Sequence, residues 1–252
     1  MPRFFVQNEC IGNGRLTLTG KDAHHISNVL RMKPGDRLTV CDFNNTEYFC
    51  EILSCGSDAV EAAILSFAPS KNELPCPVTL YMALPKGDKM EWIIMKSVEL
   101  GVTRIVPFSS DFTVVKLDDK GKEKKKQRWQ AIARSAAEQC GRGRVPVVET
   151  PVAYKEALNE ACNAQEKGEK VFLCYEREDT LSLRQLLAGE LPSGVSFFVG
   201  AEGGFSEKEV DAAVSAGVPT VSLGARILRC ETAPLYVLSC IGYTFGDSLP
   251  EA

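Results

Sequence analysis

The sequence of 252 residues lacks the features of membrane and exported proteins. No apolar run approaches the roughly 18 residues that a membrane-spanning helix needs. The opening segment, Met1-Pro-Arg-Phe-Phe-Val-Gln-Asn-Glu9, has no long apolar core of the kind found in signal peptides. We therefore expect a globular, cytoplasmic protein that makes no contact with a membrane and can bury a sizeable core in one or two domains.

Patterns for metal ions and disulfides are also missing. The ten cysteines are scattered without a Cys-x-x-Cys pair, and the only two histidines, His24 and His25, are adjacent. In a small secreted protein so many cysteines would suggest disulfides, but in this chain free thiols are favoured. We expect buried free cysteines and no metal site.

The net charge is only −4, and its distribution is more informative than its sum. Residues 1–83 contain seven Lys and Arg against nine Asp and Glu, residues 84–144 contain fourteen against eight, and the remainder contains eight against sixteen. The basic middle segment suits phosphate groups, because salt screening makes nearby charges matter more than the total. A solvated helix face over Lys120–Arg128 explains the same charges equally well.

The first part of the chain has the pattern of a small β-barrel. Short strands are predicted at Arg15–Leu18, Arg37–Phe43, Tyr48–Leu53 and Val60–Phe67. A helix predicted over Lys21–Met32 interrupts them. The polar, proline-containing segment Ser70–Pro77 is typical of a connector. We therefore place a first domain at residues 1–72 and a second at residues 73–252.

The rest of the chain alternates strands with helices, which predicts an α/β fold with a mostly parallel sheet. Strands are expected at Val78–Leu84, Arg104–Pro107, Val171–Tyr175, Val195–Val199 and Val218–Leu223. Capping boxes at Asp88–Glu91 and Ser206–Glu209 predict two helix starts. Glycines at 101 and 217 predict the ends of those helices. A last helix, Ala233–Tyr243, is apolar on nearly all sides and must be buried against its own sheet or another subunit.

Two glycine-containing segments follow predicted strands late in the chain. They are Gly200-Ala-Glu-Gly-Gly-Phe-Ser206 and Leu223-Gly-Ala-Arg-Ile-Leu-Arg-Cys-Glu-Thr-Ala233. Ligands collect at the carboxyl ends of strands in α/β sheets, and glycine lets main-chain groups approach a ligand closely. Acidic, basic and hydroxyl side chains accompany the glycines. These segments are therefore the predicted functional site.

Both segments resemble the paired signature of the RsmE family, the bacterial 16S ribosomal RNA uridine-N3 methyltransferases of the SPOUT superfamily. Other matches occur in the family's order: Met1-Pro-Arg-Phe-Phe5, His24-His-Ile-Ser-Asn-Val-Leu-Arg31, Lys96-Ser-Val-Glu-Leu-Gly101 and Ala137-Glu-Gln-Cys-Gly-Arg142. Two positions depart from the family pattern, which usually has proline at Ala201 and threonine at Cys230. Because both replacements are small, they concern loop rigidity more than activity.

The resemblance implies both a fold and an activity. The implied fold is a small PUA-like β-barrel that binds RNA, followed by a SPOUT-type parallel sheet whose C-terminal segment forms a deep trefoil knot. The implied activity is methyl transfer from S-adenosylmethionine to N3 of a single uridine in 16S ribosomal RNA, either naked or within the small ribosomal subunit. A homodimer that pairs through the last helix is also implied.

Methylation at this atom defines the side chains to look for. Uracil N3 is an imide nitrogen, so it needs a base, or cations that stabilise the anion spread over O2 and O4. The catalytic candidates are Arg226, Arg229 and Glu202. Either guanidinium would hold the uracil oxygens or a phosphate, while Glu202 would orient the loop backbone or receive the proton. Cys230 has no second cysteine or histidine near it, so a nucleophilic role is not expected.

The remaining site predictions come from the family's cofactor loops and from basic side chains. Expected cofactor contacts are Leu173, Cys174, Gly200, Glu202, Gly203, Gly204, Leu223, Gly224, Ile227, Leu228 and Thr232. Expected RNA contacts are Arg3, His24, Arg31, Lys86, Arg142 and Arg144. An exposed helix start explains His24 equally well.

Two other classes of protein compete with this interpretation. A dinucleotide-binding oxidoreductase would share the α/β pattern, but the segment Gly200–Gly204 does not have the G-x-G-x-x-G spacing and occurs late in the chain. A non-catalytic RNA-binding scaffold would explain the first domain and the basic middle segment. It leaves the two late glycine segments unexplained, and binding of S-adenosylmethionine would distinguish the three.

Overall fold

The computed structural model describes residues 1–43, 45–115 and 117–246. The chain forms two compact units, the first made of Met1–Glu73 and Ala137–Val145 and the second of Leu74–Ala136 and the chain from Pro146 onward. The sequence analysis assigned Ala137–Val145 to the second domain, whereas the structure places it in the first unit. The domain boundary between residues 72 and 73 stays a prediction.

The first unit is built on a curled six-stranded sheet in the order β1-β4-β5-β6-β3-β2. Its strands are β1 (Arg3–Phe5), β2 (Ile11–Gly12), β3 (Arg15–Thr19), β4 (Arg37–Cys41), β5 (Thr46–Cys55) and β6 (Ala59–Pro69). Alternation buries Leu16 and Leu18 of β3 against Leu38 and Val40 of β4 in one core. Two register irregularities between β5 and β6 add local twist and bending to the sheet.

One helical segment crosses this sheet between β3 and β4. It consists of the α-helix α1 (Gly20–His24) and a π-helical turn over His25–Val29, so the predicted helix over Lys21–Met32 is shorter than expected. Ala23 and Ile26 are fully buried, and a short 3₁₀ turn at Asn8–Cys10 precedes β2. The buried residues anchor the segment and leave its other side exposed.

Buried ion pairs explain why Ala137–Val145 belongs to the first unit. The guanidinium of Arg142 is bidentate to Glu73, with Nε–Oε1 at 2.8 Å and Nη2–Oε2 at 2.5 Å. Nη1 of Arg3 donates to Glu47 at 2.9 Å and to the carbonyl of Arg142 at 3.2 Å. These partners lie up to 139 positions apart in the sequence, so the local pattern could not predict the pairing.

The second unit contains a fully parallel seven-stranded sheet in the order β10-β8-β7-β12-β11-β13, with β9 paired to β8. Its strands are β7 (Val78–Ala83), β8 (Arg104–Ser109), β9 (Val147–Val148), β10 (Val152–Ala153), β11 (Lys170–Cys174), β12 (Val195–Val199) and β13 (Thr220–Val221). Every residue of β12 is buried, as expected for a central parallel strand. The rings of Tyr81 and Phe198 stack between β7 and β12 at 4.4 Å.

The α/β fold is confirmed, and the predicted strands are present with shifted ends. The strand predicted over Val218–Leu223 shrinks to Thr220–Val221, because Pro219 has no N–H for the ladder and Ser222 bridges to Ser182 instead. Whether the C-terminal segment is knotted stays a prediction.

Six helices follow or connect these strands. They are α2 (Lys89–Glu99), α3 (Asp119–Cys140), α4 (Tyr154–Glu166), α5 (Leu183–Leu187), α6 (Glu207–Ser215) and α7 (Ala233–Phe245). The capping box at Ser206 is confirmed, since its Oγ accepts from the amide of Glu209. Helix α2 begins after Asp88 and ends before Gly101, as predicted, but the capping box itself is wrong: the side chain of Asp88 caps nothing, and the carboxylate of Glu91 pairs with Arg128 at 2.7 Å.

Helix α7 is only partly covered within the chain. Val237, Leu238 and Ile241 are buried, while Tyr236 is 41% exposed and Tyr243 is 92% exposed. The described residues therefore leave part of the helix uncovered, and burial against another subunit stays a prediction. None of the described helices combines the length and the hydropathy needed to cross a membrane.

Candidate functional site

The carboxyl ends of the parallel strands place both glycine segments at one edge of the second unit's sheet. Gly200 follows β12, and the segment beginning at Ser222 follows β13. The end of β11 adds Cys174, and the loop after β7 leads to Lys89 at the start of α2. Parallel strands direct all their carboxyl ends the same way, so residues far apart in sequence meet here.

The first glycine segment forms a very tight hairpin. A bridge pairs Ala201 with Gly204, whose φ of 68° lies in the left-handed region. A Cβ on Gly200 would lie 2.8 Å from the carbonyl carbon of Gly204, closer than real side chains allow. Glycine is therefore required at 200 for close packing and at 204 for backbone conformation.

A cavity of about 810 Å³ lies between the two segments. Nine of the predicted cofactor residues line it: Cys174, Gly200, Glu202, Gly203, Gly204, Leu223, Gly224, Ile227 and Leu228. Leu173 instead lies in the core of β11 with no exposure, and Thr232 precedes α7 outside the lining. Ile227 reaches the cavity but is 83% exposed.

Charged side chains form a connected cluster on the cavity wall. Nζ of Lys89 lies 2.9 Å from Oε1 of Glu202 and 3.5 Å from Oε2 of Glu231. The amide of Lys86 donates to Glu202 at 3.2 Å, and the thiol of Cys230 donates to Glu231 at 3.2 Å. We call these residues the Lys89 cluster.

The Lys89 cluster keeps its carboxylates ionised. Burial raises the pKa of Glu202, but the hydrogen bonds from Lys89 and from main-chain amides outweigh burial and hold it below its ordinary value. Burial likewise raises the pKa of Glu231, while the contacts with Cys230 and Lys89 bring it below the ordinary value. The hydrogen bond to Glu202 raises the pKa of Lys89. Both carboxylates are therefore weak bases.

Burial, followed by the contact with Glu231, raises the pKa of Cys230 to about 12. The thiol is thus protonated at neutral pH, and the absence of a nucleophilic role stays a prediction. All ten cysteines are free thiols, and five of them are buried. Within the described residues, no group of His, Cys, Asp and Glu side chains is arranged to hold a metal ion.

The two candidate arginines present their charges to solvent at the cavity. Both Arg226 and Arg229 line the cavity and are exposed, and the side chain of Arg229 is 84% exposed. Nη1 of Arg229 lies 4.0 Å from Oε1 of Glu231, a weak contact. Their guanidinium groups therefore remain accessible to an anionic or carbonyl-bearing ligand.

Comparison with known proteins identifies the family. A family model for an RNA methyltransferase domain matches residues 72–242, and one for an RNA methyltransferase PUA domain matches residues 18–65. The chain is 40% identical over 251 residues to ribosomal RNA small subunit methyltransferase E of Bacillus subtilis, covering 96% of each protein. The chain belongs to this methyltransferase family.

Solved structures similar to this chain include two with S-adenosylmethionine bound. The ribosomal RNA small subunit methyltransferase E of Neisseria gonorrhoeae has a TM-score of 0.82 and 35% identity, covering 96% of this chain and 97% of that one. A methyltransferase from Legionella pneumophila has a TM-score of 0.83 and 30% identity, covering 96% of both. The family membership and the PUA-like first domain confirm the resemblance found in the sequence.

The residues predicted to contact RNA fall into two groups. Arg3 and Arg142 belong to the buried network of the first unit, where carboxylates engage their guanidiniums, so the geometry favours a structural role over a phosphate contact. His24, Arg31 and Arg144 are exposed on the first unit, and Lys86 is exposed on the second. Only the exposed side chains are free to reach a polyanion.

Sequence analysis missed several residues of the site. In the sequence Lys89 fits the capping-box pattern Asp88–Glu91, and its place at the start of the helix that follows β7 is the signal that could have identified it. The acidic side chains of Glu176, Glu178 and Asp179, which follow β11 and line the cavity, were not considered either. Hydrogen bonds from Thr180 and Thr220 lower the pKa of Glu178 to about 2, which identifies it as a loop-organising carboxylate.

Proposed function

We propose that this protein transfers a methyl group from S-adenosylmethionine to N3 of a single uridine in 16S ribosomal RNA. The observation that supports it best is the cavity formed by both glycine segments at the carboxyl ends of the strands, in a chain of this family. The oxidoreductase alternative lacks a dinucleotide motif, and the scaffold alternative leaves the cavity without a purpose.

The chemistry of the cavity fits a sulfonium nucleoside. Main-chain groups exposed by Gly200 and Gly204, with apolar Leu223 and Leu228, suit a purine ring and its ribose. The carboxylates of Glu176 and Asp179 offer negative charge to a cationic ligand. Related proteins from Neisseria gonorrhoeae and Legionella pneumophila were crystallised with this cofactor. When bound, it supplies an activated methyl group.

The side chains of the cavity would prepare the uracil. The ionised state of Glu202, and its bonds to Lys89 and to the amide of Lys86, favour its backbone-orienting role over that of proton acceptor. Arg226 or Arg229 would donate to O2 or O4 and stabilise the anion that remains when the N3 proton leaves to solvent. Such donors act most strongly where charge develops.

Exposed residues of the two units indicate the proposed partners, RNA and a second copy of the chain. The PUA-like unit would position RNA through phosphate contacts from His24, Arg31 and Arg144, which carry little sequence information. The exposed tyrosines of α7, Tyr236 and Tyr243, would be covered by a second copy of the chain in a homodimer. Such an enzyme would work in the cytoplasm, on 16S RNA either naked or in the small subunit.

Calorimetry with S-adenosylmethionine, combined with a methylation assay on 16S RNA, tests this proposal. We expect binding to stabilise the folded chain, and methylation of one uridine at N3. The variant Gly200→Ala should lose cofactor binding, because its Cβ would clash with Gly204, whereas Gly12→Ala has open space and should bind normally. Absence of both heat and methylation, with a response to NADH, would favour the oxidoreductase alternative.

Light scattering tests the dimer separately. We expect a mass twice the 27.5 kDa of one chain at micromolar concentration. A species of 27.5 kDa would contradict the dimer without affecting the methyltransferase proposal.

A further inference from the structure

An exposed aromatic side chain stands beside the cavity without a role in the site described so far. Phe112 lies in the loop that follows β8, at the same edge of the sheet as the two glycine segments. It is 49% exposed. In the part of the chain that the structure describes, its ring stacks on no other aromatic ring. Burial does not account for its position, since about half of the residue's surface is accessible to water.

Hydrogen bonds hold the loop that presents Phe112. The amide of Ser110 donates to Oγ1 of Thr113 at 2.9 Å, and the amide of Thr113 donates to the carbonyl of Ser110 at 3.0 Å. Between them, the amide of Asp111 donates to Oε1 of Glu209 at 2.9 Å. The loop is thus closed by its own turn and attached to the start of α6. A ring on such a loop loses little conformational freedom when it binds a ligand.

Phe112 packs directly on the first glycine hairpin. A Cβ on Gly203 would lie 3.0 Å from Cβ of Phe112 and 3.2 Å from Cγ. Gly203 lines the cavity and is the neighbour of Glu202 in the Lys89 cluster. Phe112 is not itself part of the cavity lining, so it lies against the outer side of a residue of the cavity wall, one position from Glu202.

We propose that Phe112 stacks on an unstacked nucleobase of the RNA substrate at the entrance of the cavity. This inference rests on the proposed function. A base whose N3 is to react must leave its stack and its pairing, and an aromatic face replaces the stacking that is lost. Phenylalanine offers no hydrogen-bonding group, so it recognises the flat face of a base and not its identity.

The competing explanation is that Phe112 merely covers Gly203. The variant Phe112→Leu distinguishes base stacking from simple cover of Gly203, because leucine keeps an apolar side chain but has no aromatic face. Val114, which is 65% exposed in the same loop, gives the matched control Val114→Ala. Phe112→Trp keeps the aromatic face and adds a fluorophore, whose signal is read against the parent chain with its two native tryptophans.

Each full-length variant is assayed for methylation of 16S RNA, for cofactor affinity and for melting temperature. For Phe112→Leu we expect kcat/KM for RNA to fall about 5- to 150-fold, the usual effect of losing one base-aromatic stack. Cofactor affinity and melting temperature should not change. Phe112→Trp should retain activity, its added fluorescence should be quenched by RNA, and Val114→Ala should match the parent.

Parent-like kcat/KM in Phe112→Leu would overturn the inference. A parallel loss of cofactor affinity or melting temperature would also overturn it, because Phe112 would then serve only to cover Gly203. Fluorescence of Phe112→Trp that RNA leaves unchanged would overturn it as well. If the parent itself methylates no RNA, the proposed function fails. The quenching measurement still tests the stacking contact in that case.

Discussion

Replacement of Arg229 by alanine is the sharpest test of the catalytic assignment. Its side chain is 84% exposed and only 4.0 Å from the nearest carboxylate oxygen, on Glu231. Exposed substitutions of this kind change the free energy of unfolding by less than about 0.5 kcal/mol. For a chain of this size that is a melting shift of about 1–2 °C. A loss of activity in Arg229→Ala therefore could not be attributed to a loss of folding stability.

The expected effect on the reaction is much larger. If the guanidinium stabilises the uracil anion in the transition state, its loss removes about 2.7 to 4 kcal/mol, or roughly 10² to 10³ in kcat. Cofactor affinity should hardly change, because the interaction forms mainly during the reaction. The assay is initial-rate methylation of 16S RNA at saturating cofactor, with calorimetry for the cofactor.

A matched control is available in Arg177, which is 68% exposed and pairs at 3.5 Å with Glu207 outside the cavity. Arg177→Ala removes the same charge from the same unit and should leave kcat near that of the parent. Equal rates for the two variants would refute the anion-stabilising role of Arg229. If Arg226→Ala shows the full loss and Arg229→Ala none, the role belongs to Arg226.

Three further outcomes follow from the same contacts. Cys230→Ser should be nearly silent in methylation assays, because the thiol is protonated and serine also donates a hydrogen bond; a dead variant would instead point to a thiol mechanism. Lys89→Met should raise the pKa of Glu202, measured by NMR titration. The carboxylate contributes stability above its unfolded-state pKa that is lost as pH falls through its folded pKa, and this contribution should shrink, because only the main-chain bonds then lower the pKa. An unchanged pKa would contradict the pairing. Arg142→Ala should cost about 1–3 kcal/mol in denaturant unfolding, because it removes both guanidinium bonds to the half-buried Glu73 and leaves it the amide of Gly143. A loss below about 0.5 kcal/mol would contradict the structural role.

The sequence predicted the location of the cavity because local signals determine it. The glycines of Gly200–Gly204 mark a hairpin that only glycine can form, and the apolar run before them marks a central strand. Parallel strands then bring the two motifs together without any knowledge of distant contacts. The same reasoning predicted the capping box at Ser206, since all its partners lie within three positions.

Distant pairings could not be predicted in this way. Lys89 meets Glu202 across 113 positions, and Arg142 meets Glu73 across 69. The sequence shows only that each residue is charged, which fits an ion pair, an RNA contact or a solvated surface equally well. Folding selects among these by burial, which is why Arg142 became a structural residue and Arg144, two positions away, remained exposed.

The charges around Glu202 favour one of the two roles considered for it, which are orienting the loop backbone and accepting the N3 proton. A proton acceptor for an imide needs a carboxylate whose pKa is raised towards neutrality, as burial without a cation would do. Lys89 has the opposite effect, and the amide of Lys86 adds to it. The guanidiniums of Arg226 and Arg229, in contrast, are left accessible at the cavity. Glu202 and Glu231 are committed to Lys89 while the arginines are accessible, an arrangement suited to stabilising an anion. This supports the proposal that the N3 proton leaves to solvent and is not taken up by Glu202.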